Sequence, residues 1–82
     1  MQFALYYTEG CPFCQRVLEP VRTHQWPVDL RNVARNAQDS QDLIEGGGRS
    51  TVPCLRITDD QGKVIWMYES LDILALLQRH FA

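Results

Sequence analysis

The sequence predicts an α/β fold in the order βαβαββα, a small mixed sheet flanked by helices, and three observations carry that prediction. An aromatic-rich run, a helix signal directly behind it and a second alternating run describe a strand, a crossover helix and a strand, which makes the two strands parallel and the connection right-handed. Two further β-rich runs meet at Asp59-Asp60-Gln61-Gly62, which describes a hairpin. A closing stripe of leucines at helical spacing describes a last helix on the sheet.

The first strand is Phe3-Ala4-Leu5-Tyr6-Tyr7, bounded by Thr8-Glu9-Gly10. A helix follows at once, with Cys11 at an N-cap-like position, Pro12 at the first helical position and Val17, Leu18 and Val21 on one face. Pro20 stands inside that pattern and is expected to kink or end the helix near Glu19, because its ring meets the carbonyl four residues back. After Trp26-Pro27, Val28 and Leu30 alternate with Asp29 and Arg31 in a second strand ending near Val33. Asp39-Ser40 is expected to cap a short helix through Leu43-Ile44, terminated by Gly46-Gly47-Gly48. Val52 to Ile57 and Lys63 to Met67 form the hairpin, with Gly62 available for a positive φ. In the last helix Leu71, Leu74, Leu77 and Phe81 mark the buried stripe, Ser70 is the N-cap, and Arg79 and His80 suit the dipole at the C-terminal end.

Eighty-two residues leave room for one domain, 1–82, and 45% hydrophobic with 22% charged residues excludes a disordered chain. The net charge of −2, from 8 Lys+Arg against 10 Asp+Glu, is mixed along the chain, so no basic surface is prepared for nucleic acid. The apolar run Ile73 to Leu77 is five residues, where a membrane span needs about 20. The N-terminus carries no basic leader with a cleavage site. The expectation is a complete, cytoplasmic, monomeric protein with no nucleic-acid or membrane partner.

Three cysteines, Cys11, Cys14 and Cys54, are too few for a secreted disulfide framework, and two form a C-x-x-C pair. Placed at a strand-to-helix junction, Cys11 meets the unpaired N–H groups and partial positive charge of a helix N-terminus, which stabilise negative charge on a nucleophilic sulfur. Cys14, three residues on and turned inward, suits a resolving thiol. A zinc knuckle is the competing reading, but zinc normally takes four ligands, and beyond Cys54 the chain offers only His24 and His80, far along the sequence. No metal is expected.

Two further motifs accompany the cysteines. In Thr51-Val52-Pro53 a cis proline would leave the Val52 backbone N–H and C=O free to pair with an extended peptide, while the plainer reading is a strand-opening proline. Tyr68-Glu69-Ser70 opens the last helix, where backbone N–H groups and the Ser70 hydroxyl suit a carboxylate and Glu69 an ammonium; read alone, Ser70 is an N-cap. Cys54 alternates with Arg56 and Thr58 on one face, with Leu55 and Ile57 on the other. It reads as a buried small hydrophobe dispensable for catalysis, or, if its face is open, as a redox-sensitive thiol beside the Thr-Val-Pro turn.

Together the Cys11-Pro12-Phe13-Cys14, Thr51-Val52-Pro53 and Glu69-Ser70 motifs resemble the glutaredoxins, over the whole chain. The Glu69-Ser70 pair followed by Ile73 is more similar to glutathione transferase N-terminal domains, which share the fold. The resemblance implies a thioredoxin-like fold with a four-stranded mixed sheet and a glutathione-dependent thiol-disulfide oxidoreductase. Glutathione is its co-substrate, and disulfide-containing or glutathionylated proteins are its partners. It also implies that Cys11 attacks, Cys14 resolves, and Phe13, Arg49, Thr51, Val52, Pro53, Glu69 and Ser70 bind glutathione. Many glutaredoxins carry a lysine where Thr8 stands, so Arg49 or Arg16 would have to replace that cation; each is otherwise a solvated surface arginine. Two alternatives stay open: a [2Fe-2S] carrier, which Pro12 disfavours by the same resemblance, and a non-catalytic glutathione-binding module.

Overall fold

A computed structural model describes residues 1–81. The elements are β1 (Gln2–Tyr7), α1 (Pro12–His24), β2 (Asp29–Asn32), α2 (Ala37–Asp42) with a π-helical extension (Leu43–Gly47), β3 (Cys54–Thr58), β4 (Val64–Met67) and α3 (Ser70–Phe81). The sheet order is β2-β1-β3-β4. Strand β1 runs parallel to β2, with Leu5 opposite Leu30, and antiparallel to β3, with Leu5 opposite Leu55; β4 returns antiparallel, with Ile65 opposite Ile57.

Period-two alternation divides the sheet between two cores. Phe3, Leu5, Tyr7, Leu55 and Ile57 face α1 and α3, where Cys14, Val17, Leu18, Val21, Ile73 and Leu77 complete the main cluster. Ala4, Tyr6 and Cys54 point the other way, under Leu43, with Trp66 and Tyr68 packed beside them. The β3–β4 hairpin forms as its turn residues require. Asp59 Oδ1 accepts the N–H groups of Gln61 (2.9 Å) and Lys63 (2.8 Å), and Gly62 takes φ 83°.

Several local expectations are overturned by packing. Pro20 does not end α1, which continues to His24. Proline removes one intrahelical donor, but Val17, Leu18 and Val21 are buried on both sides of it and hold the helix against the sheet. The helix closes instead at Gln25, which takes φ 54° and donates to Arg22 O, while Trp26 N–H reaches Val21 O, the Schellman pattern without glycine. The cap of α2 is Asn36 rather than Asp39-Ser40: its side chain accepts from Gln38 N and Asp39 N. Asp39, inside the helix and buried, instead accepts from Arg31 at 3.1 Å.

The three glycines end the helix as expected, but only at the last of them. The chain passes through Gly46 and Gly47 in a widened π turn and stops at Gly48, φ 80°. A Cβ at Gly46 would overlap the Trp66 ring and one at Gly47 the Tyr68 hydroxyl. The glycines therefore serve close approach to β4 and its C-terminal neighbour. Strand β3 begins at Cys54, two residues later than expected. On α3 the buried positions are Ser70, Ile73 and Leu77, whereas Leu71 is 63% exposed. The helix is turned by one position from the predicted stripe because Ile73 and Leu77 are the pair that meets α1 and the sheet.

Candidate active site

The site assembles where the C-terminal end of β1, the start of α1, the loop before β3 and the start of α3 meet. Cys11 is the N-cap of α1, with extended backbone (φ −93°, ψ 118°), and Pro12 opens the helix, where a missing N–H costs no intrahelical bond. The Cys14 N–H donates to Cys11 Sγ at 3.4 Å, so the sulfur occupies the place of a capping oxygen. Cys11 Sγ also lies 4.0 Å from the Val52 carbonyl oxygen. Cys11 is partly exposed, Cys14 and Cys54 are wholly buried, and all three are free thiols.

Burial separates the cysteines chemically. Loss of solvation pushes the Cys14 thiol up to about 11, against partial relief from hydrogen bonding to Thr8. Burial likewise pushes Cys54 up to about 11, opposed by the neighbouring Tyr68 hydroxyl, the Met67 backbone and the Arg49 charge. Near neutral pH both are protonated, and Cys11 is the sulfur that solvent reaches. Glu9, two residues before Cys11, is drawn to α1, where Arg22 at 3.0 Å holds its carboxyl below the usual range.

Val52-Pro53 is a cis peptide. Val52 lies outside β3, and among the described residues its N–H has no backbone partner. A cleft of about 210 Å³ beside it is lined by Phe13, Val52, Pro53, Tyr68, Glu69 and Ser70. Five of the predicted binding residues thus converge; Phe13, 57% exposed, contributes an open aromatic wall. Glu69 supplies the carbonyl that accepts the Ile73 N–H (2.8 Å), so Glu69 stands at the cap position and Ser70 is the first residue of α3. This moves the predicted cap by one residue. Ser70 is buried, 8% exposed, at the mouth of the helix.

The other predicted residues lie around this cleft. Thr51 is exposed and does not line it. Arg49 does not line it either, but its guanidinium lies over the Tyr68 ring, 4.8 Å from the centroid. Arg16 lies on α1 over the Phe13 ring at 5.7 Å and borders a separate surface depression with Glu19, Pro20, Thr23 and His24. Tyr68, the first residue of the Tyr68-Glu69-Ser70 motif, is the lining residue to which the sequence assigns no binding role. Cys54 lies on the opposite face of the sheet from the Cys14 core, directly across from Tyr6, so its face is covered rather than open. Among the described residues no three His, Cys, Asp or Glu side chains are placed to hold a metal ion.

The βαβαββα order, the N-cap cysteine and the cis proline define a thioredoxin-like domain. The chain belongs to the family of glutathione S-transferase N-terminal domains, which it matches over residues 5–82. Among solved structures it is similar to TDR1 of Leishmania, a trimeric glutathione transferase, at 29% identity and TM-score 0.71, covering 95% of this chain but 17% of that one. The thioredoxin-like protein BC3987 is matched at 20% identity and TM-score 0.69, over 93% of this chain and 99% of that one. The holo form of glutaredoxin C1 from Populus tremula x tremuloides is matched at 22% identity and TM-score 0.62, over 94% of this chain and 74% of that one. The last two likenesses establish the fold. No curated protein matches the sequence significantly.

Proposed function

We propose that residues 1–82 act as one glutaredoxin-like domain, a glutathione-dependent thiol-disulfide oxidoreductase that reduces glutathione mixed disulfides and protein disulfides in a reducing compartment such as the cytoplasm. The observation that carries this reading is the position of Cys11 Sγ: partly exposed, accepting the Cys14 N–H at 3.4 Å and 4.0 Å from the Val52 carbonyl, close to a cleft ending in Glu69 and Ser70. The Val52 backbone pairs with the extended glutathione peptide. The α3 N-terminus with Ser70 receives its γ-glutamyl carboxylate, Glu69 its ammonium, and Phe13, Pro53, Thr51 and Arg49 flank it.

In the first step Cys11, as thiolate, attacks the glutathione sulfur of a mixed disulfide. A new Cys11–glutathione disulfide forms, the old bond breaks, and the protein sulfur leaves to take up a proton. A second glutathione thiolate then attacks that disulfide, releasing oxidised glutathione and restoring Cys11. With a protein disulfide as substrate, Cys11 forms a disulfide with one substrate sulfur while the other leaves and takes up a proton; Cys14 then gives up its proton and attacks Cys11, the Cys11–substrate bond breaks with release of the second substrate thiol, and two glutathiones reduce the resulting Cys11–Cys14 disulfide, leaving as oxidised glutathione. All the proposed groups come from one chain, so a monomer suffices.

The test is glutathione-dependent reduction of a small glutathione mixed disulfide and of a protein disulfide by the parent, Cys11→Ser and Cys14→Ser. Cys11→Ser is expected to lose both activities, and Cys14→Ser to keep the first and lose the second. Full activity in Cys11→Ser overturns the assignment. The family membership favours a second reading, the glutathione-binding half of a transferase, for which the parent would bind glutathione but turn over neither disulfide.

A further inference from the structure

A second hollow, of about 440 Å³, opens at the other end of the sheet from Cys11, and Gln2, Ala4, Asp29, Arg56 and Thr58 line it. Strand register explains its shape. Asp29 stands opposite Ala4, Ala4 opposite Arg56 and Arg56 opposite Trp66, so one row of side chains crosses all four strands on a single face. Gln2 and Thr58 are the next pair on that face. The smaller core under Leu43 takes in Ala4, Tyr6 and Cys54 and stops there. Ala4 is the low point of the row, with Asp29 and Arg56 as its walls, and two strand-to-strand steps separate those walls by about 10 Å.

Charge is unmatched at both walls. Arg31 contacts Asp29 at 2.7 Å and Asp39 at 3.1 Å, so one guanidinium serves two carboxylates. Both of its bonds to Asp29 fall on Oδ2, and Oδ1 keeps its accepting capacity. Arg56 makes no ion pair among the described residues. Its guanidinium is half-buried over two aromatic rings, 5.7 Å from the Tyr6 centroid and 6.0 Å from that of Trp66, which holds it in place without neutralising it.

We propose that this row is a binding site for a small zwitterion of the ω-amino acid class, with its carboxylate on Arg56, its ammonium on Asp29 and its apolar chain across Ala4. A plain anion would meet Asp29 and a plain cation Arg56, so only the two charges together complement both walls. Two hydrogen bonds of about 2.9 Å, taken from a separation of about 10 Å, leave about 4 Å or more, a chain of roughly three to five methylenes with Arg56 standing off over its rings. An α-amino acid is too short to touch both. The site is distinct from the glutathione cleft and does not rest on that reading.

The experiment titrates the isotope-labelled protein with 5-aminopentanoate, pentanoate and pentylamine at neutral pH and follows the backbone amide shifts. Saturable shifts of Gln2, Ala4, Asp29 and Arg56 are expected with 5-aminopentanoate, and either singly charged probe is expected to bind about 10-fold or more weakly, the size of one charge-assisted hydrogen bond. Arg56→Gln is expected to weaken 5-aminopentanoate by about 10-fold and leave pentylamine as in the parent. Asp29→Asn should weaken it to the same degree and bind pentanoate no more weakly than the parent does. Because Asp29→Asn also releases Arg31, Arg56→Gln decides the matter if that variant does not fold. A parent unshifted by millimolar 5-aminopentanoate, three probes that bind alike, or variants that bind the zwitterion as the parent does overturn the inference. Shifts confined to Phe13, Val52, Glu69 and Ser70 overturn it as well, because they place the zwitterion in the cleft beside Cys11.

Discussion

Limiting alkylation tests the division of labour among the three cysteines. With Cys14 and Cys54 pushed up to about 11 by burial, each exposes a thiolate fraction of about 0.01% at pH 7, against about 1% for an ordinary thiol at 9.0. Since the thiolate is the reacting form, ionisation alone slows both by roughly 100-fold. Neither sulfur has solvent-accessible surface, which adds the cost of opening the fold. Cys11, in contrast, is partly exposed at the cap of α1, so reagent reaches it without opening the fold. Native protein treated at pH 7 with less than one equivalent of iodoacetamide and digested for mass spectrometry is expected to carry the label almost wholly on Cys11. In denaturant the three should label alike. Comparable labelling of Cys14 or Cys54 in the native state would refute the argument, because it would mean that burial does not govern thiol reactivity here.

Other perturbations follow from the same geometry. Ser70→Ala is expected to raise the barrier for glutathione turnover by about 1.5 to 3 kcal/mol, the worth of a charge-assisted bond; a shifted melting temperature with unchanged glutathione kinetics would make Ser70 merely structural. Alkaline stability should fall between pH 9 and 11: there the unfolded thiols ionise while Cys14 and Cys54 stay protonated, so the unfolded state binds fewer protons and gains relative stability. With folded values of about 11 against 9.0, each thiol accounts for roughly 2 kcal/mol by pH 11. Cys54→Ala should flatten that decline by about half and keep most of the disulfide reductase activity; an unchanged slope in a denaturant series over this range would contradict the burial assignment. Gly47→Ala should lower stability by about 1 to 3 kcal/mol through overlap with Tyr68, despite alanine's helix propensity, a fall of several degrees in Tm. A raised Tm would show that the π turn yields freely.

The sequence by itself determined the order of elements and the signals that carry a strong local preference. Aromatic-rich or alternating strands, a proline at the first turn of α1, Asp59 and Gly62 in a two-stranded turn and cysteines three apart at a helix start each carry a local physical signature, and each is present in the structure, the strands with ends shifted by one or two residues. The three motifs that contribute to one cleft were recognisable for the same reason, since each lies within a few consecutive residues. Tertiary structure decided the matters in which several local solutions cost nearly the same. Pro20 disfavours a helix, but the burial of Val17, Leu18 and Val21 outweighs one lost bond. Leu71, Ile73, Leu74 and Leu77 allow more than one apolar stripe, and contact with α1 chose Ile73 and Leu77. Cys54 shares its strand face with polar residues, yet α2 and its π turn cover that face because Leu43 needs Tyr6 and Cys54 to pack against. Tyr68 reaches the cleft only because Gly47 leaves room for its hydroxyl. Such placements depend on which surfaces meet across the sheet, and the free energy of that meeting is not encoded in any stretch of chain short enough to be read alone.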